Sequence, residues 1–165
     1  MKDLIRRATS AGALLDHLQP VVLLAARLYV ASVFFRAGLL KIADWSSTLA
    51  LFHNEYKVPL LPPDVAACVG TFGELAFPVL IVLGLASRLG AAGLFAVNAM
   101  AVISYPQLFG FDCPAAIHSH FYWGSLLLGL LAFGPGRWSM DAWIVGRSGM
   151  VATRPARMGL QPPSP

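Results

Sequence analysis

Residues 21–40 read VVLLAARLYVASVFFRAGLL, twenty residues whose only charged side chains are Arg27 and Arg36. As a helix this stretch rises about 30 Å, the thickness of a bilayer's hydrocarbon core. The rest of the 165-residue chain has the same character, with 57% hydrophobic and 12% charged residues and a mean hydropathy of +0.67. A soluble domain carries about 25% charged residues. Three further apolar runs follow at about 65–85, 89–108 and 117–133. Pro20 opens the first run, Pro62-Pro63-Asp64 the second, Ser87-Arg88 separates the second from the third, and Gly134-Pro135-Gly136 stops the fourth. Prolines at helix starts and glycines at helix ends are ordinary punctuation. The expectation is an all-α integral membrane four-helix bundle.

The same composition excludes a disordered chain, which needs more charge, and a disulfide-rich scaffold, which needs more than two cysteines. The net charge of +4 does not point to nucleic acid, because the basic residues sit at the ends of apolar runs rather than on a folded face. Their placement reads as topology. Lys2, Arg6, Arg7, Arg88, Arg137, Arg147, Arg154 and Arg157 fall on one side and only Lys41 and Lys57 on the other, so both termini are expected in the cytoplasm. No signal peptide is expected, and Arg6-Arg7 lacks the pattern around a twin-arginine signal. Residues 1–19 suit an amphipathic cytoplasmic segment, residues 20–141 the membrane domain, and residues 142–165 the end of an interfacial helix followed by a disordered tail. Ser139 is the expected N-cap of that helix, with Trp138 and Trp143 at headgroup depth. On the outer side, Asp44 can cap a short amphipathic helix through Leu49, Leu51, Phe52 and Tyr56, either covering the bundle mouth or forming a lid over a cavity.

Ionisable and amide side chains inside spans are costly and normally face protein. Arg27 falls about 9 Å from the inner edge, Arg36 about 6 Å from the outer edge, and Glu74 and Asn98 near the midplane. Nine residues place Arg27 and Arg36 on opposite helix faces. Arg36 shares its face with Tyr29 and Ser32, and the Arg27 face carries Ala31, Phe34, Gly38 and Lys41, so the first helix is expected to touch protein on both sides. Snorkelling to the interface is the other reading of Arg36. Glu74, too short to snorkel, is expected to pair with Arg27, Arg36 or Asn98. Pro78 leaves the Glu74 carbonyl without its helical donor, making either a polar notch or a plain kink.

Cys113, His118 and His120 have metal-ligand chemistry, but histidines two apart on a helix diverge and converge only if His118 belongs to the loop. Interfacial histidines are the main reading, with no metal expected. Cys68 and Cys113 lie near the same face and could form a disulfide or remain free thiols. The chain has no Gly-rich phosphate loop, CxxC pair, HExxH, haem-attachment motif or Ser-His-Asp pattern, so self-contained catalysis is not expected.

Arg27-Leu28, Phe34-Phe35, Gly38 and Lys41-Ile42, then Glu74, Gly84-Leu85 and Arg88, and finally Gly134-Pro135-Gly136-Arg137-Trp138-Ser139-Met140-Asp141 resemble the DoxX family of bacterial inner-membrane proteins over about residues 20–141. Val58-Pro59-Leu60-Leu61-Pro62-Pro63 looks like one branch of it. The resemblance implies a four-helix membrane bundle, linked through some relatives to quinone-coupled sulfur oxidation or to complexes handling thiol and oxidative stress. Phe111-Asp112-Cys113-Pro114 and His118-Ser119-His120 depart from the family pattern. The leading expectation is a DoxX-like subunit of a redox-linked complex with quinone as the candidate ligand. Its pocket would lie between the first two spans, with Tyr29, Ser32, Arg36, Glu74, Asn98 and Arg27 as the polar contacts. The partners would be the lipid bilayer and a membrane or cytoplasmic redox protein, no nucleic acid, with a homo-oligomer left open. A non-catalytic scaffold or membrane chaperone is the alternative, and a small transporter or metal-handling protein the third.

Overall fold

A computed structural model describes residues 2–110 and 115–147, with side chains from residue 17 onward. The expected disordered tail therefore lies outside the described residues, as do the side chains of the N-terminal amphipathic segment. Helices α1 (Lys2–Ala43), α2 (Trp45–Asn54), α3 (Pro63–Leu83), α4 (Ser87–Ser104), α5 (Ala115–Phe133) and α6 (Met140–Arg147) follow one another, with a 3₁₀ turn over Pro106–Phe109 and no strand among the described residues. Four helical stretches are long and apolar enough to cross a membrane: His17–Ala43, Pro63–Leu83, Ser87–Ser104 and Ala116–Phe133. This is a multi-pass membrane protein. Pro20 lies inside α1 rather than at a helix start. One lost backbone bond is tolerated in a long membrane-bound helix because water or neighbouring groups re-satisfy the freed carbonyl.

The four long helices form a ring in which α1 packs on α3 and α5, and α4 closes the other side between α3 and α5. The centre is Val30, Ala31, Phe34, Ile81, Ala91, Leu94, Leu127 and Leu130, all buried. One face of α1 forms the core contact. Arg27, Val30, Ala31, Phe34 and Gly38 are buried, while Tyr29, Ser32, Phe35 and Arg36 are exposed, so the second face of α1, expected to meet protein, is mostly open and touches α5 where Tyr29 meets Tyr122. Gly38 is where α1 comes closest to α3: a Cβ there would lie 2.8 Å from the Leu75 side chain. Only a residue without a side chain permits that approach.

The two ends of the bundle are built differently. At one end α2 lies on α3 and turns Thr48 and Phe52 inward. The expected cap is present: Asp44 Oδ1 accepts from the Ser47 amide at 3.0 Å and Oδ2 from the Ser47 hydroxyl at 2.7 Å. These donors hold the Asp44 carboxyl below its usual range, the Ser47 hydroxyl contributing most. The segment after α2 is tied to α4 where the Lys57 amide donates to the Ser104 carbonyl at 2.7 Å. At the other end Gly84 ends α3 at φ 69, and the loop before α6 folds over it. Ser139 caps α6, accepting at Oγ from the Ala142 amide at 3.1 Å. Asp141 reaches from α6 to the start of α4, accepting from the Ala86 and Ser87 amides at 2.8 and 3.0 Å. A carboxylate there satisfies free amides and complements the helix dipole.

Candidate functional site

A groove of about 520 Å³ lies between α2, α3 and α4. Its walls are apolar, with Phe52, Phe77, Val97 and Met100 among them. Val69 and Phe72 on its rim are exposed, Phe72 by 68%, so the groove opens sideways, toward what in a bilayer is hydrocarbon. Small residues make the space: Gly70, Gly73, Gly93, Ala96 and Ala101 all line it.

Against this apolar wall stands one ion pair. Lys41, two residues before the end of α1, places Nζ 2.5 Å from each carboxylate oxygen of Glu74, and both residues line the groove. Glu74 is 7% exposed. A carboxylate this deep in an apolar bundle requires a cationic partner. That partner is none of the three expected. Lys41, counted in the sequence among the residues flanking the first span, reaches inward because its long aliphatic stem lets the ammonium lie a turn away from its backbone. The signal for it was present: Arg27, Phe34 and Lys41 recur every seven residues, which keeps them on one face of a helix.

Two further polar groups belong to the groove. Ser104, 2% exposed, lines it, and its hydroxyl has no hydrogen-bond partner. An unpaired buried hydroxyl costs about 1–3 kcal/mol, so its position favours an incoming polar atom. Tyr56 lines the same space and stacks edge-on against Tyr105 at 5.2 Å, whose hydroxyl donates to Glu55 at 3.1 Å. Burial, reinforced by Tyr105 and the negative charges of Glu74 and Glu55, pushes the Tyr56 phenol up. The bond to Glu55 does the same for Tyr105. Both phenols are therefore proton-bearing donors at neutral pH.

The remaining expected contacts lie elsewhere. Arg27, 1% exposed, spends its guanidinium on backbone: Nε donates to Ile81 O at 2.7 Å, Nη2 to Val82 O at 2.7 Å, and Nη1 to Pro135 O at 3.0 Å and Trp138 O at 2.7 Å. It is a clamp on the end of α3 and the loop before α6. Asn98 faces α5, donating to His120 O at 3.0 Å while its oxygen lies 2.9 Å from His120 Nδ1. Tyr29 is 46% exposed and meets Tyr122 edge-on, Ser32 donates to its own helix at Tyr29 O, and Arg36 is exposed. None of these five lines the groove, and the hollow lies on the α4 side of α3 rather than between α1 and α3. Helix rotation moves a side chain to another face with each residue, and depth arithmetic fixes height but not that rotation.

Among the described residues no three His, Cys, Asp or Glu side chains are grouped to hold a metal. His118 belongs to α5 and is exposed, so it diverges from His120. Cys68 is an exposed free thiol on α3, and Cys113 lies outside the described residues. His53 instead approaches Asp64 at 3.0 Å across the mouth of α2.

A sequence profile described as DoxX matches residues 22–107, more than half of the chain. The chain belongs to the DoxX family. The match spans α1 to α4 and so includes Arg27, Lys41, Glu74 and Ser104, whereas the loop that Arg27 clamps lies beyond it. Comparison with curated proteins and with solved structures returns no match.

Proposed function

We propose that this DoxX protein is the membrane subunit of a redox-linked complex in a bacterial inner membrane, and that its α2–α3–α4 groove receives the head group of a quinone-class lipid. The observation that carries this reading is the Lys41–Glu74 pair set in the wall of an otherwise apolar groove that opens sideways. A membrane-dissolved ligand reaches such an opening without leaving the hydrocarbon, and a few placed polar groups in an apolar pocket are the usual means of orienting it. The residues fit the group: Lys41 and the orphaned Ser104 hydroxyl supply donors for ring carbonyls, and Glu74 supplies a carboxylate able to hold a proton. A bound quinone would supply the capacity to accept or release electrons, which in this reading a partner protein delivers.

In the same reading the termini face the cytoplasm. Arg88, Arg137 and Arg147 lie at the end away from α2, and positively charged flanks stay inside.

The test is to purify the protein with native lipids and quantify quinone per chain. The expected result is close to one equivalent, lost from the Lys41→Met/Glu74→Leu double variant while folding is kept. A wild type carrying no quinone above the level of an unrelated membrane protein overturns the reading and favours a scaffold whose buried charges only set helix register.

A further inference from the structure

At the end of the bundle remote from the groove, the described residues include four arginines, and three are committed. Arg27 is the buried clamp. Arg88 Nη2 donates to Ala132 O at 3.3 Å, at the last turn of α5, and Arg147 lies 4.2 Å over the Trp143 ring. Arg137 is exposed and makes no hydrogen bond or ion pair with a described residue. Its backbone is nevertheless held on both sides: the Pro135 and Trp138 carbonyls accept from Arg27, and the Gly136 carbonyl accepts from Ser139 Oγ at 2.8 Å. A loop held at its backbone thus projects an arginine whose charge no described residue uses.

That side chain lines a polar cleft of about 390 Å³ together with His17, Pro20 and Trp138. Among the described side chains no carboxylate lines it. The nearest acid along the loop, Asp141, has both oxygens engaged by the α4 amides. Beside the cleft, α1 continues from His17 with Leu18, Val21 and Val22, all exposed.

We infer that this cleft binds the phosphate of an anionic phospholipid whose acyl chains lie along Leu18, Val21 and Val22. Three features converge on that ligand. A guanidinium offers a planar fork of donors matched to phosphate oxygens, and His17 adds a second donor. The exposed Trp138 indole suits headgroup depth, where one edge is wet and the ring apolar. The apolar strip continues from the cation in the direction that acyl chains take, which a soluble phosphate has no use for. Fixing the loop through Arg27 lowers the backbone part of the ordering cost that an arginine on a flexible loop would meet on binding. This assignment is independent of what occupies the groove.

The test is native mass spectrometry of the full chain in micelles doped with phosphatidylglycerol or phosphatidylcholine. Phosphatidylglycerol is expected to be retained preferentially, with retention falling roughly tenfold in His17→Gln/Arg137→Gln, the scale of a lost charge-assisted hydrogen bond, and only partly in Arg137→Lys. Arg137→Gln alone, on an exposed side chain, gives the same comparison if the double variant fails to fold. Equal retention of the two lipids overturns the inference, as does wild-type retention in whichever glutamine variant folds. Displacement of the lipid by millimolar inorganic phosphate would reassign the cleft to free phosphate and equally overturn it.

Discussion

Replacing Arg27 with methionine keeps the length and apolar stem of the side chain but removes every donor from the junction of α1, α3 and the 134–139 loop. Four carbonyls then lose a donor: Ile81, Val82, Pro135 and Trp138, with Ile81 O left to the Gly84 amide at 3.2 Å. Two of them lie in the last turn of α3, where few helical amides remain to be shared. Hydrogen bonds in a membrane bundle average about 0.6 kcal/mol, and ordinary protein ones reach roughly 1.5 kcal/mol. Four bonds therefore place the loss at about 2–6 kcal/mol. Reversible unfolding by sodium dodecyl sulfate in mixed micelles reads this directly. Arg27→Lys should recover only part, because a single ammonium cannot span four acceptors that the guanidinium reaches from three nitrogens. Gly84→Ala probes the same junction from the other side. Its φ of 69 disfavours a side chain, and an added Cβ would lie 2.6 Å from Arg27 Nη2 and 2.5 Å from the Ser139 Cβ. The two substitutions together should cost less than their sum, since each dismantles what the other relies on. An Arg27→Met protein within about 0.5 kcal/mol of wild type would refute the clamp, since even the membrane average predicts several times that.

Glu74→Ala and Lys41→Ala should each cost about 2–4 kcal/mol, somewhat under the fully buried range because the Lys41 side chain keeps 23% of its exposure, and Lys41→Met/Glu74→Leu should recover most of it. Single variants as stable as wild type in the same unfolding assay would remove the pair. The Asp44 cap has a defined pH sign. Its carboxyl is lowered on folding, so its contribution is whole above the ordinary carboxylate value of about 4 and is lost as pH falls through the lower folded value. Amide exchange in Trp45–Asn54, referenced to Asp44→Asn, should quicken over that acid range only in wild type, and identical profiles would show that the cap carries no stability. For orientation, a reporter fused after Arg147 should be active only in the cytoplasm, and periplasmic activity would reverse the charge argument.

Four spans, their approximate limits, the capped helix after α1 and the capped helix before residue 147 were all legible in the linear chain. Each depends on neighbours in sequence: an apolar run long enough to cross a bilayer, a proline or glycine at its end, or a side chain one turn from the amides it caps. The buried character of Arg27, Glu74 and Asn98 was legible for the same local reason, since a polar group within twenty apolar residues has to face protein. Partnership was not. Lys41 and Glu74 are 33 positions apart, and Arg27 and Trp138 are 111. Which cation meets the carboxylate depends on how α1 is rotated against α3 and on how closely Gly38 lets them approach. Sequence depth placed Glu74 within reach of three candidates and put Lys41 outside the membrane, while the packed bundle brings the lysine ammonium inward and commits Arg27 to backbone carbonyls. The groove is likewise a product of tertiary structure, because small residues on α3 and α4 make a hollow only when those helices face each other and α2 lies across their end. Helix formation and membrane insertion follow from the free energy of local segments; the site follows from distances between segments, which only the packed chain sets.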